Sequence, residues 1–124
     1  MTIRIIPEQK DPRYWYGAEI HSIYDGDSLR LNIDMGFETW RNRQSFRLAH
    51  IDAWEIRGEE RPMGLKAKEF IKKHLDVGER VLIRTIKDTR GKYGRILVEV
   101  YDMESGQCIN DLLVAGGHAV YKEY

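Results

Sequence analysis

The stretch Asp25-Gly26-Asp27-Ser28-Leu29-Arg30-Leu31-Asn32-Ile33-Asp34-Met35 carries the signal that decides the fold. Leu29, Leu31, Ile33 and Met35 point one way and Ser28, Arg30, Asn32 and Asp34 the other, which is the period of a half-buried strand. Asp25-Gly26 supplies turn chemistry just before it, so residues 17–24 are expected to form the other arm of a hairpin. Downstream, residues 37–48 read as a third strand with Gly36 at its start, and residues 80–87 and 95–101 as two more. The last is apolar on both faces, the mark of deep burial. A helix over residues 65–75 places Ala67, Phe70, Ile71 and Leu75 inward and Lys66, Glu69, Lys72 and Lys73 outward, with Gly78 as its stop. A second helix starts near Asn110 as N-cap, with Ile109 and Val114 spaced as a hydrophobic staple. Its Leu112, Leu113 and Ala115 look inward, and Gly116-Gly117 ends it. Three strands, a helix, two strands and a helix predict a mainly β fold with helices (α+β), namely a five-stranded OB-fold barrel with two to three packed helices. Residues 1–13, polar and carrying Pro7 and Pro12, are expected to be an irregular arm, leaving 14–124 as the domain.

The chain's 124 residues fit one domain that buries about two thirds of its surface. The 42% apolar residues argue against disorder. No apolar run approaches the ~18 residues of a membrane span. No apolar segment follows Met1, so no signal peptide is expected and the site of action is read as intracellular. Cys108, the single cysteine, cannot form an internal disulfide.

Lys and Arg total 20, as do Asp and Glu, and a net charge of zero argues against a nucleic-acid partner. The charges are segregated, however. Residues 66–95 hold ten basic side chains against four acidic ones, and Arg41, Arg43 and Arg47 form a second basic group. Asp25, Asp27, Asp52, Glu55, Glu59 and Glu60 gather elsewhere, and residues 99–111 hold four acids and no base. Any single run could be a solvated face. A basic surface beside a carboxylate knot also suits a metal-assisted enzyme acting on phosphate, where acids hold a cation and Lys/Arg hold the polyanion.

Three segments carry candidate chemistry. Tyr24-Asp25-Gly26-Asp27-Ser28 offers carboxylates to a hard cation, or is an ordinary Asp-Gly turn. In Arg47-Leu48-Ala49-His50-Ile51-Asp52-Ala53-Trp54-Glu55, two acids leave a strand where they could share a metal or a water with Asp27, and Arg47 offers a fork matching phosphate oxygens. The bland alternative is a surface ion-pair cluster. In Gly91-Lys92-Tyr93-Gly94-Arg95 two glycines bracket a tight basic hairpin. Together they are the parts of a phosphodiester hydrolase.

In order and spacing across roughly residues 16–120, the three segments resemble the staphylococcal nuclease (thermonuclease) family, marked by an Asp-Gly-Asp-Thr turn, an Arg-Leu…Asp-x-Pro-Glu segment and an Asp-Lys-Tyr-Gly-Arg segment. The resemblance implies an OB barrel and a Ca²⁺-dependent nuclease, an endonuclease of thermonuclease type whose partner is DNA and/or RNA; the sequence itself points to no membrane and no obligate protein partner. It implies Asp27 and Asp52 as metal carboxylates, with the main-chain carbonyl of Ala53 as a third ligand. Glu55 would be the general base or orient the attacking water, Arg47 and Arg95 would neutralise the phosphorane, and Lys92 and Tyr93 would bind the neighbouring phosphate and sugar-base region. Water then attacks phosphorus in line and displaces the 5′ oxygen, leaving a 3′-phosphate and a 5′-hydroxyl. Other functions open to the same barrel are a catalytically weak or inactive module that binds nucleic acid or protein, and a small-molecule phosphodiesterase or structural domain.

The departures bear on the site. Trp54 stands where the family has Pro, and could anchor the loop by packing or stack on a base. Ser28 replaces Thr and Gly91 replaces Asp, and Tyr121 and Tyr124 resemble the family's C-terminal tyrosines. His21, His50, His74 and His118 lack zinc spacing, and of these His50, between Arg47 and Asp52, is the one to test.

Overall fold

The computed structural model describes residues 2–8, 13–56, 58–91 and 94–122. Strands β1 (Trp15–Asp25), β2 (Ser28–Asp34) and β3 (Trp40–Leu48) are followed by a short β4 (Ile51–Ala53), a 3₁₀ turn (Gly58–Glu60) and helix α1 (Arg61–His74). Then come β5 (Arg80–Arg90), β6 (Ile96–Asp102), helix α2 (Ile109–Ala115) and β7 (Ala119–Tyr121). Five strands close a barrel in the order β1-β2-β3-β6-β5, antiparallel throughout except where β3 runs parallel to β6. This is the expected five-stranded OB-type barrel with two helices.

The alternation in β2 does what its period demands: Leu29, Leu31 and Ile33 are buried in the barrel. Met35 does not join them. The strand ends at Asp34, and Met35 lies half-exposed in the following turn. The third strand starts at Trp40, not at residue 37, because Phe37 and Glu38 hold φ of +53° and +61°, outside the β region. Helix α1 starts four residues earlier than its apolar stripe indicates. Pro62 lies in its first turn, where a missing N–H costs nothing, and Glu59 and Glu60 sit at its positive end. Ala67, Ile71 and Leu75 face the core as expected.

Asn110 is not an N-cap. Cys108 holds that position, and Ile109, buried in the core, is the first helical residue, so the staple is absent too. Ala115 faces solvent. The fully buried Asn110 amide instead accepts from Val100 N–H (3.1 Å) and donates to the carbonyls of Ala49 and Val98 (3.0 Å each). It stitches β6 to the corner after β3. The cap preference of Asn is a local propensity, and here a long-range need for buried hydrogen bonds overrides it. Strands β4 and β7, paired antiparallel, are too short for a period to reveal.

Residues 2–8 are irregular apart from a bridge between Ile5 and Gln107, yet they are anchored. The Arg4 guanidinium donates to both oxygens of Asp111 (2.8 and 2.9 Å) and to Glu99, two carboxylates that are almost fully buried. The acidic stretch 99–111 is thus partly an internal counter-charge, remote in role from the Asp27–Asp52 pair. Burial alone would raise the Asp111 carboxyl, but hydrogen bonds from the side chain and backbone of Arg4 and from Tyr121 more than offset it, holding it below its ordinary range. Burial pushes the Cys108 thiol up to about 11, so it is an inert core thiol at neutral pH.

Candidate active site

The site grows from the hairpin quoted at the outset. Asp25 pairs with Ser28, so Gly26 and Asp27 form the two-residue turn between β1 and β2. A Cβ on Gly26 would stand 2.8 Å from Cβ of Ala67 and 3.0 Å from Cβ of Ala53. The missing side chain lets the turn settle on α1 and β4 at once, and this close approach sets Asp27 beside β4. There its Oδ2 accepts the Ala53 N–H (3.0 Å).

Arg47 reaches the same point from β3, whose register pairs it with Ser28. His50, at φ +65°, makes the corner that turns β3 into β4 and returns Asp52 toward Arg47. One guanidinium nitrogen of Arg47, Nη2, lies 3.2 Å from Asp27 Oδ2 and 3.2 Å from Asp52 Oδ1, while Nη1 donates to the Ile51 carbonyl (3.2 Å). From just before β6, the strand next to β3, Arg95 Nη1 donates to the Ser28 hydroxyl, which in turn donates to Asp27 Oδ1 (3.2 Å). Asp27, Arg47, Asp52, Ala53 and Arg95 are therefore brought together, and the Ser28 hydroxyl links two of them. Burial pushes the Asp27 carboxyl above the usual carboxylate range, only partly offset by the Ala53 N–H, the Arg47 guanidinium and the Ser28 hydroxyl.

Glu55 follows three residues after Asp52, exposed, and its backbone is seated on α1. A Cβ on Gly64 would come within 2.2 Å of the Glu55 carbonyl oxygen and 2.7 Å of the Ile56 nitrogen. Trp54 anchors the same loop from the other side. Its backbone N–H donates to the His118 carbonyl (3.4 Å) and its indole Nε1 to the Gly117 carbonyl (3.3 Å). Of the two roles open to Trp54, the anchoring one is realised. Lys92, Tyr93 and Tyr124 lie outside the described residues; of the two bracketing glycines, Gly94 N–H donates to the Gly91 carbonyl (3.0 Å).

Two participants escaped sequence reasoning. Lys122 places its ammonium 3.6 Å from Asp52 Oδ2, after β7 brings it alongside β4. Gly64 lies just before the helix expected over residues 65–75, and only the earlier start of α1 at Arg61 places it inside a helix, against Glu55.

The donor chemistry fits a hard cation. Asp27 and Asp52 are oxygen donors, and because a single nitrogen of Arg47 contacts both, one positive centre spans the pair. Among the described residues, no three His, Cys, Asp or Glu form a metal cluster, so further ligands would have to be carbonyls or water. Among the same residues, no helix is long and apolar enough to cross a membrane.

In comparison with known families, the model described as staphylococcal nuclease homologue matches residues 45–124. The matched span contains Arg47, Asp52, Ala53, Glu55 and Arg95. Asp27 lies before it and enters the site through the fold. No match was found among curated proteins.

Proposed function

Because the chain belongs to the staphylococcal nuclease homologue family, we propose that it is a Ca²⁺-dependent phosphodiesterase that hydrolyses DNA and/or RNA. The single observation that carries this reading is the position of Arg47 Nη2, 3.2 Å from both Asp27 and Asp52, with Arg95 tied through Ser28 to the same carboxylate. Two acids able to share a cation and two arginines able to meet a phosphate are thereby held on one rim of the barrel.

Asp27, Asp52 and the Ala53 carbonyl would hold the cation, whose bound charge would polarise the phosphoryl oxygens and make nearby water more acidic. Arg47 and Arg95 give bidentate donors to the phosphate oxygens as charge builds on them. Glu55, on the loop clamped by Gly64 and Trp54, accepts the proton of the attacking water. In-line attack on phosphorus then releases the 5′ oxygen and leaves a 3′-phosphate. Lys92 and Tyr93 are proposed to hold the adjoining phosphate and sugar.

Incubation of the pure chain with single-stranded DNA and Ca²⁺, with and without EDTA, tests this. Cleavage abolished by EDTA and reduced on the order of 10²–10⁴-fold in Glu55→Ala is expected. Equal, EDTA-insensitive cleavage by both forms would overturn it. Oligonucleotide binding without turnover in any metal would point to a binding module.

A further inference from the structure

A cavity of about 400 Å³ opens beside the candidate active site and shares Ser28 and Arg95 with it. That volume is within the range of small-ligand pockets. Strand register explains its placement. Ser28 pairs with Arg47 and Arg30 with Ser45, so these four side chains share the outward face of β2 and β3. Ser28 and Arg47 belong to the carboxylate–arginine site, and Arg30 and Ser45 continue the same face two residues further on, as part of the cavity wall.

Tyr24 forms another wall. It is a large aromatic ring left 50% exposed, and the Arg30 guanidinium lies over it at 5.1 Å from the ring centre. Among the described residues, Arg30 Nε is a buried side-chain nitrogen with no hydrogen-bond acceptor. A buried donor left unmatched is costly, and a ligand carrying acceptor oxygens would relieve it after a small shift of the side chain. An exposed aromatic plane, an arginine with an unmet donor and two serine hydroxyls suit a base with its phosphate, and suit nothing purely apolar.

We propose that this cavity is a nucleotide subsite. The base of the nucleotide flanking the scissile phosphate stacks on Tyr24, and Arg30 takes that nucleotide's own phosphate. The inference rests on the nuclease reading for its place beside a scissile phosphate. Arg95 is the hinge between the two, because it donates to Ser28 in the catalytic rim and lines the cavity as well.

The test uses a thymidine dinucleotide phosphorylated at both ends, and its two analogues that each lack one base, with the full chain and its Tyr24→Ala, Tyr24→Phe and Arg30→Ala variants. Tyr24→Ala is expected to raise KM about ten- to hundredfold and to change kcat less than about threefold, as loss of one stacked base would. Tyr24→Phe should keep the original KM. Removing one particular base should cost the unsubstituted chain a similar factor and cost Tyr24→Ala nothing more, and Arg30→Ala should raise KM for every analogue. An unchanged KM in Tyr24→Ala, or a base-removal penalty that persists in it, would overturn the subsite. If the chain cleaves none of these substrates, the nuclease reading fails by itself. Equilibrium binding of the same dinucleotide then decides the subsite: tenfold weaker binding by Tyr24→Ala supports it and equal binding overturns it.

Discussion

Gly64 and Glu55 are in backbone contact across the junction of helix and loop: a Cβ on the glycine would stand 2.2 Å from the glutamate's carbonyl oxygen. That separation is far below any van der Waals distance, and the neighbour is backbone, which cannot rotate away. Gly64→Ala must therefore push the 54–56 loop off α1, whatever alanine adds in helix propensity. The expected cost is about 1–3 kcal/mol of stability, as for other overpacked sites, read as a lower urea midpoint. DNA cleavage should fall more than tenfold at saturating substrate, because Glu55 moves with its loop. Ala substitution of the neighbouring Leu65, 39% exposed, serves as control and should leave cleavage unchanged. Full activity in Gly64→Ala would remove the positional role assigned to the glycine.

Asn110→Ala separates a helix cap from a core stitch. A lost cap costs about 1 kcal/mol. Loss of the Asn110 amide leaves Val100 N–H and the Ala49 carbonyl buried without this partner, for which about 3 kcal/mol is expected. Chemical denaturation of the two forms distinguishes the values.

The Arg4–Asp111 pair makes stability pH-dependent. The fold holds the Asp111 carboxyl below its unfolded value of 3.8, so its contribution is complete above that pH and is lost as pH falls through the folded value. In Arg4→Met the guanidinium's hydrogen bonds and charge disappear, while the backbone N–H of residue 4 and the Tyr121 hydroxyl still donate to the carboxyl, so its folded value rises and the stabilisation shrinks. The gap in unfolding free energy between the two forms, from urea denaturation, should be widest near pH 7, about 3 kcal/mol, and should narrow toward pH 3. The figure is at the low end for a buried pair because the Arg4 side chain is 38% exposed. A gap independent of pH would refute the linkage.

His50 is singled out by sequence for its place between Arg47 and Asp52, and the structure gives its backbone the decisive role. At φ +65° the residue occupies the left-handed region, a conformation that glycine adopts without penalty. His50→Gly should fold at least as stably as the original. His50→Val should lose about 1–2 kcal/mol and misplace Asp52, lowering cleavage. Thermal unfolding and a cleavage assay on both variants check this.

Sequence alone determined the barrel and most of its rim. The period-two run through β2 reports one face to water and one to the core, and it is local, so it survives in a linear reading. The turn at Gly26, the arginine and acid either side of His50, and Arg95 after its two glycines were visible for the same reason, since each is a short segment with its own chemistry. Tertiary structure decided what depends on approach between distant segments. Asn110 became a stitch and not a cap because the barrel placed unpaired backbone groups around it. Arg4 became an anchor because folding buried Glu99 and Asp111 and left two charges to be met. Gly64 and Lys122 joined the site only when α1 and β7 were packed against the strand that carries Asp52. Hydrophobic period and turn preference are properties of neighbouring residues. Desolvated charge, unmatched hydrogen bonds and the contact of one backbone with another exist only once the chain has closed on itself.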